Sequence, residues 1–207
     1  MYLLGFDVGT SSVKASLINA ATGVCAASDY FPKQEMRMTA VKPGWAEQDP
    51  ELWWQNLCMA SASILATSGI DREQVRAIGI SYQMHGLVMV DKHYKVLRPS
   101  IIWCDSRAVS YGDAAAKALG RDICDNHLLN SPGNFTASKL AWVKEHEPEI
   151  YAKIYKVMLP GDYIAMRMTG EVQTTIPGLS EGILWDFKRE SISREMMEYY
   201  GFDKAIM

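Results

Sequence analysis

Three short stretches carry side chains whose types and spacing could do chemistry. The first is Asp7-Val8-Gly9-Thr10-Ser11-Ser12-Val13-Lys14. Gly9 permits a tight turn with its amide free, and Thr10 and Ser11 offer hydroxyls. Small residues let an anion approach the backbone, and successive amides in a turn make a phosphate cradle. Asp7 is placed to hold Mg²⁺ through water, because that ion keeps several waters and uses few protein ligands. Lys14 adds a cation beside the loop. The second stretch is Gln83-Met84-His85-Gly86. An imidazole exchanges hydrogen bonds with a hydroxyl, a thioether packs on a carbon skeleton, and the glycine lets the chain reverse. The third is Trp103-Cys104-Asp105-Ser106-Arg107. There an aromatic wall and a carboxylate form the usual mix of an apolar surface with a few placed polar groups. Each has a plain structural reading too. These are a polar hairpin turn, a lone structural histidine, a core tryptophan, a helix-capping aspartate and, for Arg107, a helix-surface charge.

The elements that must position these groups follow from pattern. Tyr2 to Val8 is an almost continuous apolar run, the signature of a strand covered on both faces. Val13, Ala15 and Leu17 alternate through a second strand, Asn19 to Gly23 is turn material, and Val24 to Tyr30 reads as a third strand antiparallel to the second. Residues 32 to 48 are irregular. Asp49 then caps a helix with Pro50 at its first position, and Trp53, Leu57, Ala60 and Ile64 form its buried stripe. Strands are expected at Val75–Ser81, Leu87–Asp91, Leu97–Trp103 and Lys156–Leu159. Helices are expected at Ser106–Leu119, closed by Gly120, at Thr136–Glu145, from Pro148, and at Gly161–Met168, ended by Gly170. The alternation predicts an α/β fold with a mixed sheet flanked by helices. The phosphate loop therefore sits at a strand–turn–strand junction, unlike the loops that lead from a strand into a helix.

The 207 residues are 48% hydrophobic and 22% charged with a formal net charge of -3, ordinary for one globular domain. Nothing forms the basic footprint of a nucleic-acid partner or the polybasic stretch of a membrane surface. The four cysteines, Cys25, Cys58, Cys104 and Cys124, lack metal or redox spacing and read as reduced thiols. With no signal-like or membrane-spanning stretch, a cytoplasmic location is expected. His93, His127 and His146 are expected on the surface, while Trp45, Trp53 and Trp54 read as packing around the first helix. Ser180-Glu181-Gly182 and Trp185-Asp186 line a cleft without an assignable role.

The phosphate loop resembles the first phosphate loop of the sugar kinase, hsp70 and actin superfamily, and of the FGGY carbohydrate kinases in particular. Residues Gly44 to Trp54, Gln83 to Gly86, Leu97 to Arg107, Asn134 to Val143, Leu159 to Tyr163 and Met168 to Glu171 are similar to the xylulokinase-like members, with Asn134 where a glycine is commoner. The resemblance runs from Met1 to about Phe187. It implies a ribonuclease-H-like (actin-like ATPase) fold and an ATP- and Mg²⁺-dependent kinase that phosphorylates a ketopentose, most directly D-xylulose. Residues 1–207 would be the N-terminal sugar-binding domain. Met84 and His85 would contact the ketose with Trp103 and Asp105, and Gly9, Thr10, Ser11 and Lys14 the phosphates. Glycerol kinase-like members carry an arginine–glutamate pair where Met84 and His85 stand.

The resemblance also implies a catalytic aspartate in a Gly-Gly-Asp motif opening a second, nucleotide-binding domain, and no Gly-Gly-Asp occurs in this chain. The chain alone is therefore expected to lack turnover, and its uncovered face to favour self-association, for example as a homodimer. Kinases for ribulose, gluconate or glycerol remain open as alternatives. So does a non-catalytic relative, either a sugar-sensing regulator or an actin-like assembly module.

Overall fold

A computed structural model describes residues 1–207. In chain order the elements are β1 (Tyr2–Val8), β2 (Val13–Asn19), β3 (Cys25–Phe31), β4 (Glu47–Gln48), α1 (Pro50–Ser68), β5 (Val75–Tyr82), β6 (Val88–Val90), β7 (Ser100–Ile101), α2 (Val109–Asp122), α3 (Thr136–His146), α4 (Pro148–Tyr151), β8 (Lys156–Met158), α5 (Pro160–Thr169), α6 (Ile176–Glu181), β9 (Trp185–Asp186), β10 (Ser191–Ile192) and α7 (Arg194–Tyr200). The main sheet has the order β3-β2-β1-β5. Its first three strands are antiparallel, and β5 runs parallel to β1. The mixed sheet is thus observed, with the helices and the parallel crossover that the alternating pattern required.

β1 differs from its sequence reading. Leu4, Phe6 and Val8 are buried, but Leu3 on the opposite face is 40% exposed, as is 51% of Ile78 on β5. The run is apolar on both sides, yet only one side meets a core. Val13, Ala15 and Leu17 of β2 complete that buried face with a strict period of two. Against it lies α1, whose Trp53, Leu57, Ala60 and Ile64 are all buried as the stripe predicts. Asp49 accepts from the Glu51 amide at its start, and Gly69 in a left-handed conformation (φ 65°) ends it.

The strand buried on both faces is β6. Val88 and Val90 join the core between the main sheet, α1 and α5, whereas Leu87 and Met89 join a second core with Ile101, Leu140, Trp142, Met196 and Met197. That second core collects α3, α7 and the turn at Ile183–Leu184, and it places α6 beside the end of β5. The helix expected from Ser106 begins at Val109, and Gly120 (φ 78°) kinks it where a stop was expected. The strand expected over Leu97–Trp103 shrinks to Ser100–Ile101, paired with β4.

Candidate functional site

Parallel pairing of β1 and β5 sets Val8 opposite Tyr82, so the loops that follow both strands emerge side by side at the same sheet edge. Ligands of open α/β sheets collect at the carboxyl ends of such strands. The backbone joins the loops directly: the Gln83 amide donates to the Val8 carbonyl at 2.9 Å.

Buried polar side chains tie them further. Gln48, 2% exposed, donates from Nε2 to the Thr10 carbonyl at 2.7 Å. Its Oε1 accepts from Gln83 Nε2 at 2.9 Å and from Trp53 Nε1 at 3.1 Å. The Thr10 hydroxyl accepts from Trp103 Nε1 at 2.9 Å and donates to Gln83 Oε1 at 3.3 Å. One network therefore runs through the phosphate loop, the Gln83–Gly86 turn and Trp103. Sequence reasoning assigned no role to Gln48, although it lies inside the quoted Gly44–Trp54 stretch.

In the phosphate loop, the Gly9 amide is not free as expected. It donates to the Ser12 carbonyl at 3.1 Å and closes the turn. The remaining approach is through Thr10 and Ser11, the latter exposed. Asp7 and Lys14 are cross-strand partners whose charged groups lie 3.2 Å apart, with side chains 47% and 61% exposed. No cluster of three or more His, Cys, Asp or Glu side chains could hold a metal. A Mg²⁺ held largely by water and phosphate, with half-exposed Asp7 as a protein carboxylate, fits this arrangement.

The second loop is tightly built. A side chain at Gly86 would stand 2.6 Å from Pro160 Cγ, and one at Gly161 would stand 2.2 Å from the Tyr82 ring, so close packing requires both glycines. Met84 is 54% exposed. His85 adopts a left-handed backbone (φ 62°), uncommon for a residue with a side chain. Its amide donates to Glu181 Oε1 at 2.5 Å, and its carbonyl accepts from Lys139 Nζ at 2.7 Å. The imidazole packs edge-on against Phe135 at 4.4 Å. Burial, and then the nearby Lys139 charge, hold its pKa down at about 4, so the ring is neutral near pH 7. Burial likewise brings Lys139 down to about 8 and raises Glu181 above the usual carboxylate range.

Asp105 does not line a pocket. It is fully buried, accepts from the Ala46 amide at 2.6 Å and pairs with Arg107 Nη2 at 2.7 Å. Its carboxylate is spent on holding the 44–47 segment. Arg107 is not a surface charge either. Its side chain is 1% exposed, also pairs with Glu47 at 2.7 Å, and lies 3.8 Å from the Trp45 ring centroid. Trp103 is half-exposed, so its core reading fails. His127 is not free on the surface: its Nδ1 lies 3.0 Å from buried Asp186, which also holds Arg189 and so serves the β9–β10 corner instead of the cleft.

Residues 2–207 match the FGGY family of carbohydrate kinases, N-terminal domain. The chain is 35% identical over 209 residues to the xylulose kinase of Bacillus subtilis (strain 168), covering 99% of this chain and 40% of that one. It is 38% identical over 185 residues to the xylulose kinase of Escherichia coli (strain K12), covering 89% and 36%. Among solved structures, a xyloylose kinase from Brucella ovis superposes with a TM-score of 0.89 at 31% identity, covering 100% of this chain and 42% of that one. A gluconate kinase from Lactobacillus acidophilus gives 0.86 at 25%, covering 99% and 40%. The chain thus spans about two fifths of the length of these relatives.

Proposed function

The chain belongs to the FGGY family of carbohydrate kinases, matching its N-terminal domain, and on that premise we propose that it supplies the sugar- and phosphate-facing part of an ATP-dependent ketopentose kinase, with D-xylulose as the preferred substrate. The observation that carries this reading is the hydrogen-bonded union of the two loops. Thr10 touches both Gln83 and Trp103, so the loop read as facing phosphate and the groups read as facing the sugar share one hydrogen-bonded frame. Phosphoryl transfer asks the protein chiefly for positioning and charge stabilisation.

In this reading Thr10, Ser11 and Lys14 face the phosphates, and Met84, His85 and Trp103 face the sugar. Asp7 would hold a Mg²⁺, which would supply neutralisation of phosphate charge. The resemblance puts the base that takes the hydroxyl proton in a Gly-Gly-Asp motif, which this sequence does not contain, and the chain spans about two fifths of its relatives' length. A neutral imidazole beside an exposed thioether suits a five-carbon ketose with a well-placed hydroxyl, and suits a small, wholly polar triol less.

The test is kcat/KM for D-xylulose, L-ribulose, D-gluconate and glycerol, measured on this chain completed with the remaining length its relatives carry. D-xylulose is expected to lead. A higher value for another substrate overturns the ketopentose assignment, and no turnover with any of them overturns the kinase reading.

A further inference from the structure

His85 holds a left-handed backbone conformation that a side-chain-bearing residue rarely adopts, so the surroundings must over-determine it. What surrounds it are two opposite charges from distant parts of the chain. Lys139 of α3 is fully buried and donates to the His85 carbonyl at 2.7 Å. Glu181, the last residue of α6, accepts from the His85 amide at 2.5 Å through Oε1. Its Oε2 lies 3.4 Å from the Tyr82 hydroxyl. The two helices are themselves joined, since the Ala137 amide donates to the Gly182 carbonyl at 3.1 Å. Bonds to charged partners in a water-poor site are stronger than neutral ones.

The ring adds a second observation. His85 Nδ1 is buried and has no hydrogen-bond partner, while Glu181 Oε1 stands 3.7 Å away. A neutral imidazole carries one proton, on either nitrogen. A lone pair on Nδ1 facing the carboxylate would be repelled, whereas an N–H there is attracted and needs only a small side-chain shift to reach bonding distance. With Nδ1 enclosed, the 23% exposure that the side chain retains belongs to its other atoms.

We propose that Glu181 and Lys139 are positioning residues that clamp the His85 loop and fix the imidazole as its Nδ1–H tautomer, leaving Nε2 as a hydrogen-bond acceptor for a hydroxyl of the bound polyol. The identity of that ligand rests on the kinase reading, but the clamp and the tautomer do not. The arrangement gives the site a polarity. It accepts from a substrate hydroxyl and turns away an analogue whose only group at that position is an acceptor, because two lone pairs would then face each other in a desolvated contact.

Long-range ¹H–¹⁵N NMR of the imidazole in the 207-residue chain tests this without any sugar. At pH 7, Nδ1 is expected at the protonated shift and Nε2 at the unprotonated one. Glu181→Ala should move the pair towards the Nε2–H tautomer, and Glu181→Gln, whose amide oxygen still accepts, should restore the wild-type shifts. Lys139→Met should speed exchange of the His85 amide at least about tenfold by freeing the carbonyl side of the clamp. An Nε2–H tautomer in wild type overturns the proposal outright. So do unchanged shifts in a folded Glu181→Ala protein, or unchanged His85 exchange in Lys139→Met. In the completed enzyme, Glu181→Ala is expected to raise the sugar KM about tenfold while leaving that for ATP in place, and equal increases in both would contradict a sugar-side role. Failure of every polyol to react would instead strike the kinase reading and leave the NMR result to decide the clamp.

Discussion

The loop after β1 and the loop after β5 lie side by side but are built on opposite principles. The first is open: Asp7 and Lys14 are roughly half or more exposed and share one surface ion pair, a contact worth about 0–1 kcal/mol. The second is gripped: His85 is held at amide and carbonyl by Glu181 and buried Lys139, and the pKa values of all three are displaced. On the proposed reading the first loop would meet a hydrated polyanion and its metal, and such a loop must stay accessible and can spare little charge for internal bonding. A loop that distinguishes one hydroxyl arrangement from another needs a fixed acceptor, and fixing it costs buried charge. Substitutions in the first loop should therefore separate activity from stability, and those in the second should move both.

The sharpest break of this contrast is Asp7→Asn. Removing the half-exposed carboxylate at the end of β1 should lower kcat of the full-length enzyme by about 10²-fold or more. The protein loses only an exposed pair, so its melting temperature should shift by less than about 3 °C. A large loss of stability with normal turnover would show that the first loop is as structural as the second. Next in size is His85→Ala, where loss of one hydrogen bond to a substrate hydroxyl should cost about 1–3 kcal/mol, roughly tenfold to a hundredfold in kcat/KM for D-xylulose. The preference over glycerol should narrow with it. An unchanged ranking of substrates would remove His85 from the specificity argument.

Local chemistry made the first loop and the His85 turn legible in the sequence. Asp7, Thr10, Met84 and His85 stand in short strings whose strand–turn setting follows from alternation. What sequence could not show depends on partners far along the chain. Asp105 reads as a cleft carboxylate until the Ala46 amide, 59 residues away, is found on it. Arg107 reads as a surface charge until Glu47, Trp45 and Trp142 enclose it. Glu181 reads as a cleft-lining residue without a role, and only the docking of α6 against the end of β5 gives it His85. The short elements from Ile176 onward have too few residues for any period to emerge, so α6, β9, β10 and α7 were not readable.

Lys139 tests the buried side of the contrast through pH. Burial lowers its pKa from 10.5 to about 8. The unfolded chain therefore holds this proton over a range where the folded protein has released it, and stability rises with pH from about 8 towards 10.5. Tyr82 and Tyr200 have raised values and oppose this above about pH 10, which sets the upper end of the window. Between pH 7.5 and 9.5, urea unfolding should show wild type gaining about 2 kcal/mol relative to Lys139→Met, which has no proton to lose. Parallel pH profiles would mean that the ammonium is solvated and the second loop is no more costly than the first.

The smallest expected effect tests the tie between the first loop and Trp103. Trp103 is half-exposed, so its packing contributes little to the core, yet its indole N–H donates to the Thr10 hydroxyl at 2.9 Å. Trp103→Phe keeps an aromatic face for the sugar and removes only that donor. Thr10 retains Gln83 as an acceptor at 3.3 Å and Gln48 as the donor to its carbonyl, so the loop should not collapse. The loss should be about 0.5–1.5 kcal/mol, a few-fold in kcat/KM. It should appear for ATP as well as for sugar, because the proposed reading puts Thr10 at the phosphates and Trp103 at the sugar. Trp103→Ala removes the aromatic face as well, and its additional loss should fall on the sugar alone. A Phe variant that affects only the sugar constant would show that the 2.9 Å contact carries no coupling. Trp103 would then be a neighbour that works independently of the first loop, and the frame would rest on the bonds that Gln83 and Gln48 make to Val8 and Thr10.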